Sequence, residues 1–251
     1  MPPNTELRIG VFIPSEAQLL DLSPIDLFGM LSPEYLRACT LPAPIINLGT
    51  SSIIHYISMP ETGPYVELTA KASLKVSKTT EDKEVQPGML DILLIPGPNP
   101  STIFDSRVVD FVRGHAQWQG SDGKSTDILS VCTGCVVLGQ SGILKEKRAS
   151  GPRGIMQKLR KDFPDTTWID DKRWVKDGNI WTSGGITNGQ EMVAEYIREN
   201  FPGPASEAAL AMADVGERGI EYTKSKPRDT LWWLVLILKA FIVGNGKLKK
   251  A

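Results

Sequence analysis

The sequence predicts an α/β fold in which a mostly parallel sheet carries helices on both faces. Two apolar runs, Leu7 to Ile13 (LRIGVFI) and Leu90 to Ile95 (LDILLI), are continuous rather than alternating, as in strands buried on both sides. Segments of helical spacing fall between such runs, the strand–helix alternation that gives a parallel sheet. A third apolar run, Asp127 to Val131, ends at Cys132 and passes straight into small and aliphatic residues from Thr133 to Gly139. That reads as a strand, a sharp turn and a helix, with a thiol at the turn.

The elements follow in order. Leu7 to Ile13 is the first strand, and Leu22 to Leu31, with Pro24 near its start, is the helix after it. Ile45 to Leu48 and Ile53 to Ile57 read as short strands. Residues 60–89 are polar and punctuated by Pro and Gly, with a strand around Leu74 to Val76. Pro96-Gly97-Pro98 closes the strand Leu90 to Ile95. Val108, Phe111, Val112 and Ala116 give Arg107 to Trp118 a helical stripe. Gly154 to Phe163 reads as a helix ended by Pro164. Trp168 to Val175 and Ile180 to Thr182 flank Lys176-Asp177-Gly178-Asn179, a hairpin signal. Ser183-Gly184-Gly185 is a tight loop, and Asn188-Gly189 precedes a helix running to about Phe201. Residues 1–204 form the main domain. Residues 205–251 form a C-terminal helical extension: a helix from Ala205 to Val215, a polar linker over 216–228, and an apolar tail.

Composition sets bounds on function. The 251 residues are 41% hydrophobic and 23% charged, as in a globular protein, and the net charge of −1 leaves no footprint for nucleic acid. Pro-Pro-Asn-Thr-Glu near the start lacks the apolar stretch of a secretory signal. Three cysteines make a disulfide scaffold a poor fit, so a reducing, cytoplasmic compartment is expected. Leu231 to Val243 (LWWLVLILKAFIV) is apolar except for Lys239 but too short to span a bilayer, which needs about 20 residues. The reading is a helix docked on the core or on a partner subunit. Trp232-Trp233 and the basic end at Lys247, Lys249 and Lys250 also leave contact between residues 231–243 and a membrane surface open.

The chemistry centres on Cys132. An elbow pushes a side chain clear of the backbone and close to a helix N-terminus, whose partial positive charge favours thiolate. The alternatives are a packed structural cysteine and a redox pair formed with Cys135. Against the pair, the usual preceding Trp is missing and Val136-Val137-Leu138 reads as a packed helix face. Cys39 lies in no motif. An imidazole is the common activator of a thiol, but His55 and His115 follow neither a strand end nor a motif. Asp21, just past the first strand, is the better partner, because a carboxyl near a thiol can relay a proton or position water. From the residues alone, Asp21 reads equally as an acid at a helix start. In parallel sheets the site lies beyond the carboxyl ends of the strands. Asp21, Pro96-Gly97 and Cys132 therefore share one rim.

Taken together, Gly10-Val-Phe-Ile-Pro14, Leu20-Asp21-Leu22, Leu90 to Gly97, Ser130-Val-Cys132-Thr133-Gly134, Arg148-Ala149 and Thr182 to Thr187 resemble the ThiJ/PfpI superfamily. The Cys-Thr-Gly form with a Leu-Asp-Leu acid is similar to its isonitrile hydratase-like branch. The resemblance covers about residues 6–202. It implies a flavodoxin-like three-layer sandwich, the class I glutamine amidotransferase-like fold, and hydration of an isonitrile to an N-substituted formamide. By that likeness Cys132 attacks, Asp21 handles protons and water, and Thr133 fixes the elbow and supplies donors. No metal or organic cofactor is implied, and a homodimer is. Two positions depart from the branch. Pro98 stands where a second glycine is usual, so Gly97, Asn99 and Gly134 are the candidate residues around the reacting atom. Arg153 follows Arg148-Ala149 where the branch carries a histidine, which turns the pocket toward an anionic or larger molecule. Relatives of this fold point to two further readings, a glyoxalase or deglycase acting on α-oxoaldehydes and a redox-sensing regulator that uses Cys132.

Overall fold

The computed structural model describes residues 6–222, 230–232 and 234–235. In chain order the strands are β1 (Leu7–Phe12), β2 (Ser52–Ser58), β3 (Tyr65–Glu67), β4 (Ser73–Lys75), β5 (Lys78–Thr79), β6 (Ile92–Ile95), β7 (Asp127–Ser130), β8 (Arg148–Ala149), β9 (Thr167–Trp168), β10 (Trp174–Asp177) and β11 (Ile180–Ser183). The helices are α1 (Pro24–Met30), α2 (Pro33–Ala38), α3 (Ala43–Ile46), α4 (Ser106–Gln117), α5 (Gly134–Gln140), α6 (Met156–Asp162), α7 (Thr187–Asn200) and α8 (Pro204–Ala213). Seven strands form one sheet in the order β10-β11-β7-β6-β1-β2-β5. All its pairings are parallel except β10 with β11, the hairpin closed by Gly178-Asn179.

Both faces of this sheet are covered, which explains its unbroken apolar strands. Neighbouring residues of β6 divide between the faces. Ile92 and Leu94 pack with Phe28 of α1, Val193 of α7 and Leu210 of α8. Leu93 and Ile95 pack with Val112 of α4, Val137 of α5 and Leu159 of α6. Helix α8 thus buries Leu210 in the same core as α7. Successive strands depart from β1 in opposite directions, β2 to one side and β6 to the other. The loops after β1 and β6 therefore diverge and leave a crevice at the carboxyl end of the sheet.

Several local expectations give way. Ile45 to Leu48 is not a strand. Pro42 and Pro44 preset φ for a helical start, so α3 forms there and turns at Asn47. The sequence pattern does not signal helix α2, which begins at Pro33 and is capped by Ser32 Oγ accepting from the Tyr35 N–H at 3.2 Å. The run from Trp168 to Val175 splits, because Trp168 in β9 pairs with Ala149 in β8 while Trp174 opens β10. Asn188-Gly189 lies inside α7 rather than before it, where Gly189 lets Val131 approach.

The stretch read as a polar linker is tied down as far as Tyr222. Arg218 pairs with buried Glu191 at 2.8 Å, and the Arg173 N–H donates to Ile220 O at 2.7 Å. Most of the apolar tail at 231–243 lies outside the described residues; Leu231, Trp232, Leu234 and Val235 are described and exposed. Among the described residues no helix is long and apolar enough to cross a membrane.

Candidate active site

Strand β7 ends at Ser130, and two residues later the chain turns at Cys132 with φ +56°. A non-glycine residue held in the left-handed region costs about 1–3 kcal/mol and persists only where its surroundings enforce it. The restraints at Cys132 are backbone bonds on both sides: Val131 N–H to Ile95 O at 3.0 Å and Cys132 N–H to Gly184 O at 3.2 Å. Gly134 opens α5 directly over the end of β6, where a Cβ would overlap Ile95 O. Cys132 is only 8% exposed.

Asp21 lies in the short 3-10 turn Leu19–Leu22 after β1 and is fully buried. Its Oδ2 accepts from the Gly97 N–H at 3.1 Å, while its Oδ1 is buried with no partner among the described residues. A Cβ on Gly97 would sit 2.5 Å from both Asp21 Oδ2 and Thr133 Oγ1. The loops after β1, β6 and β7 thus meet at Gly97, and only a residue without a side chain lets them do so. The three segments placed on one rim by sequence come together there.

The proton affinities of the pair are set by burial. Burial lifts the Asp21 carboxyl from 3.8 to about 7, against the Gly97 N–H and the Cys132 thiol, which both favour its ionised form. Burial and the nearby Asp21 charge push the Cys132 thiol up to about 11. The N–H groups of Ile186 and Thr133, with the Thr133 hydroxyl, pull the other way. The expectation that the helix start would leave a resting thiolate is therefore not met. Helix α5 has only seven residues, and desolvation beside a carboxylate outweighs its donors. Ile186, one of those donors, has φ +27°, a second strained residue beside the thiol and a β-branched one.

The other singled-out residues fall as follows. The Thr133 hydroxyl donates to Pro98 O at 2.6 Å. Asn99 is exposed, and its Oδ1 accepts from the Ser101 N–H at 3.0 Å. The Arg153 guanidinium lies 4.6 Å from the centre of the Tyr222 ring. Cys135 is fully buried beside Gly151, and burial drives its thiol far up. His115 is buried against Phe111 with Nε2 at 3.0 Å from Val85 O, and burial lowers it to about 4. His55 is in β2, so both imidazoles stand apart from the residues gathered at Gly97.

Sequence reasoning missed the wall over Gly184. Tyr222 OH accepts from Asn188 Nδ2 at 2.9 Å, and a Cβ on Gly184 would lie 2.5 Å from that hydroxyl. The tight loop Ser183-Gly184-Gly185 was the one local clue to this crowding. Among the described residues no group of three or more His, Cys, Asp and Glu side chains could hold a metal ion.

These features define a flavodoxin-like α/β protein with a thiol at a strand-to-helix elbow beside a buried acid. The chain belongs to the DJ-1/PfpI family, which it matches over residues 52–199. It is 29% identical over 168 residues to the isonitrile hydratase of Pseudomonas putida, a match covering 66% of this chain and 65% of that protein. The chain therefore spans just under two thirds of that relative's length. A ThiJ/PfpI family protein from Pseudomonas syringae superposes with a TM-score of 0.64 at 18% identity, over 94% of this chain and 88% of that one. Drosophila melanogaster DJ-1beta does so at 0.62 and 16%, over 84% and 99%.

Proposed function

We propose that the protein is a cysteine-dependent hydratase that converts an isonitrile to the N-substituted formamide. The observation that carries this reading is Asp21, a fully buried carboxyl whose pKa burial raises to about 7, beside the elbow thiol and with Oδ1 unpartnered among the described residues. With no imidazole at hand, the carboxyl is the group able to move the proton. The likeness to isonitrile hydratase supports the choice of substrate.

Each step moves one proton, and Asp21 carries it. Ionised Asp21 takes the thiol proton as sulfur bonds to the terminal carbon of R–N≡C, and then returns it to that carbon. The product of this step is the thioimidate Cys132–S–CH=N–R. Asp21 next draws a proton from water as the water oxygen adds to the same carbon, and nitrogen receives the proton. The tetrahedral adduct Cys132–S–CH(OH)–NH–R loses the thiolate and becomes O=CH–NH–R, and the hydroxyl proton returns to sulfur through Asp21. The raised thiol pKa is no obstacle, since proton removal and carbon–sulfur bond formation occur together. Developing charge on sulfur meets the N–H groups of Ile186 and Thr133. The Thr133 hydroxyl, which rests on Pro98 O, can turn to the same sulfur.

Turnover of phenyl isonitrile, followed by formamide release, tests the reading. Cys132→Ala and Asp21→Asn are expected to lose at least about 100-fold each. Formamide production at the wild-type rate in either variant would contradict the role of nucleophile for Cys132 or of proton carrier for Asp21.

A further inference from the structure

Arg173 is buried, at 9% exposure, yet no carboxylate pairs with it among the described residues. Its hydrogen bonds go to neutral acceptors: Nε to Gly219 O at 2.9 Å and an Nη to Asn188 Oδ1 at 3.3 Å. The face of its guanidinium lies 5.0 Å from the centre of the Tyr222 ring. A guanidinium carries five N–H donors, and these bonds use two. Buried charges are as a rule compensated by an opposite charge, and an aromatic face compensates only in part.

The uncompensated charge stands next to the elbow. Gly184 donates its N–H to Arg173 O at 2.8 Å and accepts the Cys132 N–H at 3.2 Å, so a single residue joins the two. Asn188 Nδ2 and Tyr222 OH crowd the same glycine, at 2.9 and 2.5 Å from where a Cβ would be. A second guanidinium, that of Arg153, reaches the same Tyr222 ring. Asp21 comes from the turn after β1 and meets the Gly97 loop, whereas this basic wall is built by Arg173 just before β10, by α7 and by the segment that follows α8.

We propose that Arg173 is an anion subsite beside the Cys132 elbow and receives a carboxylate of the substrate. The fork of a guanidinium matches a carboxylate in two parallel bonds, and the bound anion supplies the counter-charge that Arg173 lacks among the described residues. The identity of the reacting group rests on the hydratase reading above; the anion subsite does not.

The test compares isocyanobenzoate with phenyl isonitrile as substrates, and benzoate with benzamide as ligands by titration calorimetry. The wild-type protein is expected to favour the carboxylate member of each pair by about 10- to 100-fold. Asn188→Asp is the informative variant. It is isosteric, it can accept from the Tyr222 hydroxyl, and it gives Arg173 an internal carboxylate. It is expected to fold with a Tm at least that of wild type and to bring both ratios close to one, as is Arg173→Met. Turnover of phenyl isonitrile with no preference for isocyanobenzoate or benzoate overturns the subsite and leaves the hydratase reading standing. Benzoate binding that Asn188→Asp abolishes, in a protein inert toward both isonitriles, supports the subsite and removes the hydratase reading. Benzoate binding of equal strength in wild type and in Asn188→Asp overturns the subsite.

Discussion

Replacing Asp21 with asparagine should change how stability depends on pH, in a direction that the burial of this residue fixes. Folding lifts the Asp21 pKa from 3.8 to about 7. Between those values the folded chain keeps a proton that the unfolded chain has given up. The stability contributed by this group is therefore full below about pH 4 and is lost as pH rises through about 7. Each pH unit across that window is worth about 1.4 kcal/mol, about 4 kcal/mol in all. Asparagine keeps an acceptor for the Gly97 N–H and cannot ionise. The assay is urea unfolding of wild type and Asp21→Asn from pH 4 to pH 8, read as the difference between the two curves so that other titrating groups cancel. The variant should gain about 4 kcal/mol on wild type between the two ends. It should also lower the Cys132 pKa, because the neighbouring charge that helps raise it is gone; ultraviolet thiolate absorbance follows that titration. Curves that run parallel, with an unmoved Cys132 titration, would refute the claim that Asp21 is buried against the thiol.

Three further outcomes are expected. Gly97→Ala forces a methyl group to 2.5 Å from Asp21 Oδ2 and Thr133 Oγ1, and should lower kcat/KM for phenyl isonitrile about 100-fold and stability by about 1–3 kcal/mol; unchanged kinetics would mean that the three loops do not meet as described. Burial lowers His115 from 6.5 to about 4, so its contribution is full above about pH 6.5 and is lost as pH falls through about 4, some 3 kcal/mol that His115→Gln should remove from the acid limb of a denaturation series. Its window overlaps that of Asp21 with the opposite sign, so the wild-type profile alone will look flatter than either contribution. Light scattering should find a homodimer for the full chain and a weaker one for a chain ending at Ser225; an equally stable dimer without the tail would show that residues 231–243 take no part in assembly.

Much of the site could be read from sequence because its parts are local. An apolar run that ends in Cys-Thr-Gly specifies a strand, a turn and a helix by itself, and Pro96-Gly97 marks a strand end in the same way. Three strand ends of a parallel sheet necessarily share a rim, so Asp21, Gly97 and Cys132 can be grouped from sequence alone. What escaped depends on contacts distant in sequence or on competition between local preferences. Ile45 to Leu48 carries the β-prone residues of a strand, but prolines on either side of Ala43 start a helical turn. Arg173 reads as one residue of a strand, and Tyr222 as part of a linker. The ion pair of Arg218 with Glu191, the bonds from Arg173 to Gly219 and Ile220, and the Tyr222 N–H donating to Asp171 O bring Tyr222 over Gly184. The thiol pKa escapes for the same reason. The helix start is visible in the sequence, while the desolvation that overrides it is a property of the packed chain.

The most direct test of the central claim is single-turnover mass spectrometry of the protein mixed with phenyl isonitrile. An adduct on Cys132 with the mass of the whole isonitrile is expected, and it decays to formamide in wild type. The adduct is absent from Cys132→Ala, and its formation and decay are both slowed in Asp21→Asn. Formamide released at the wild-type rate by Cys132→Ala would contradict Cys132 as the nucleophile.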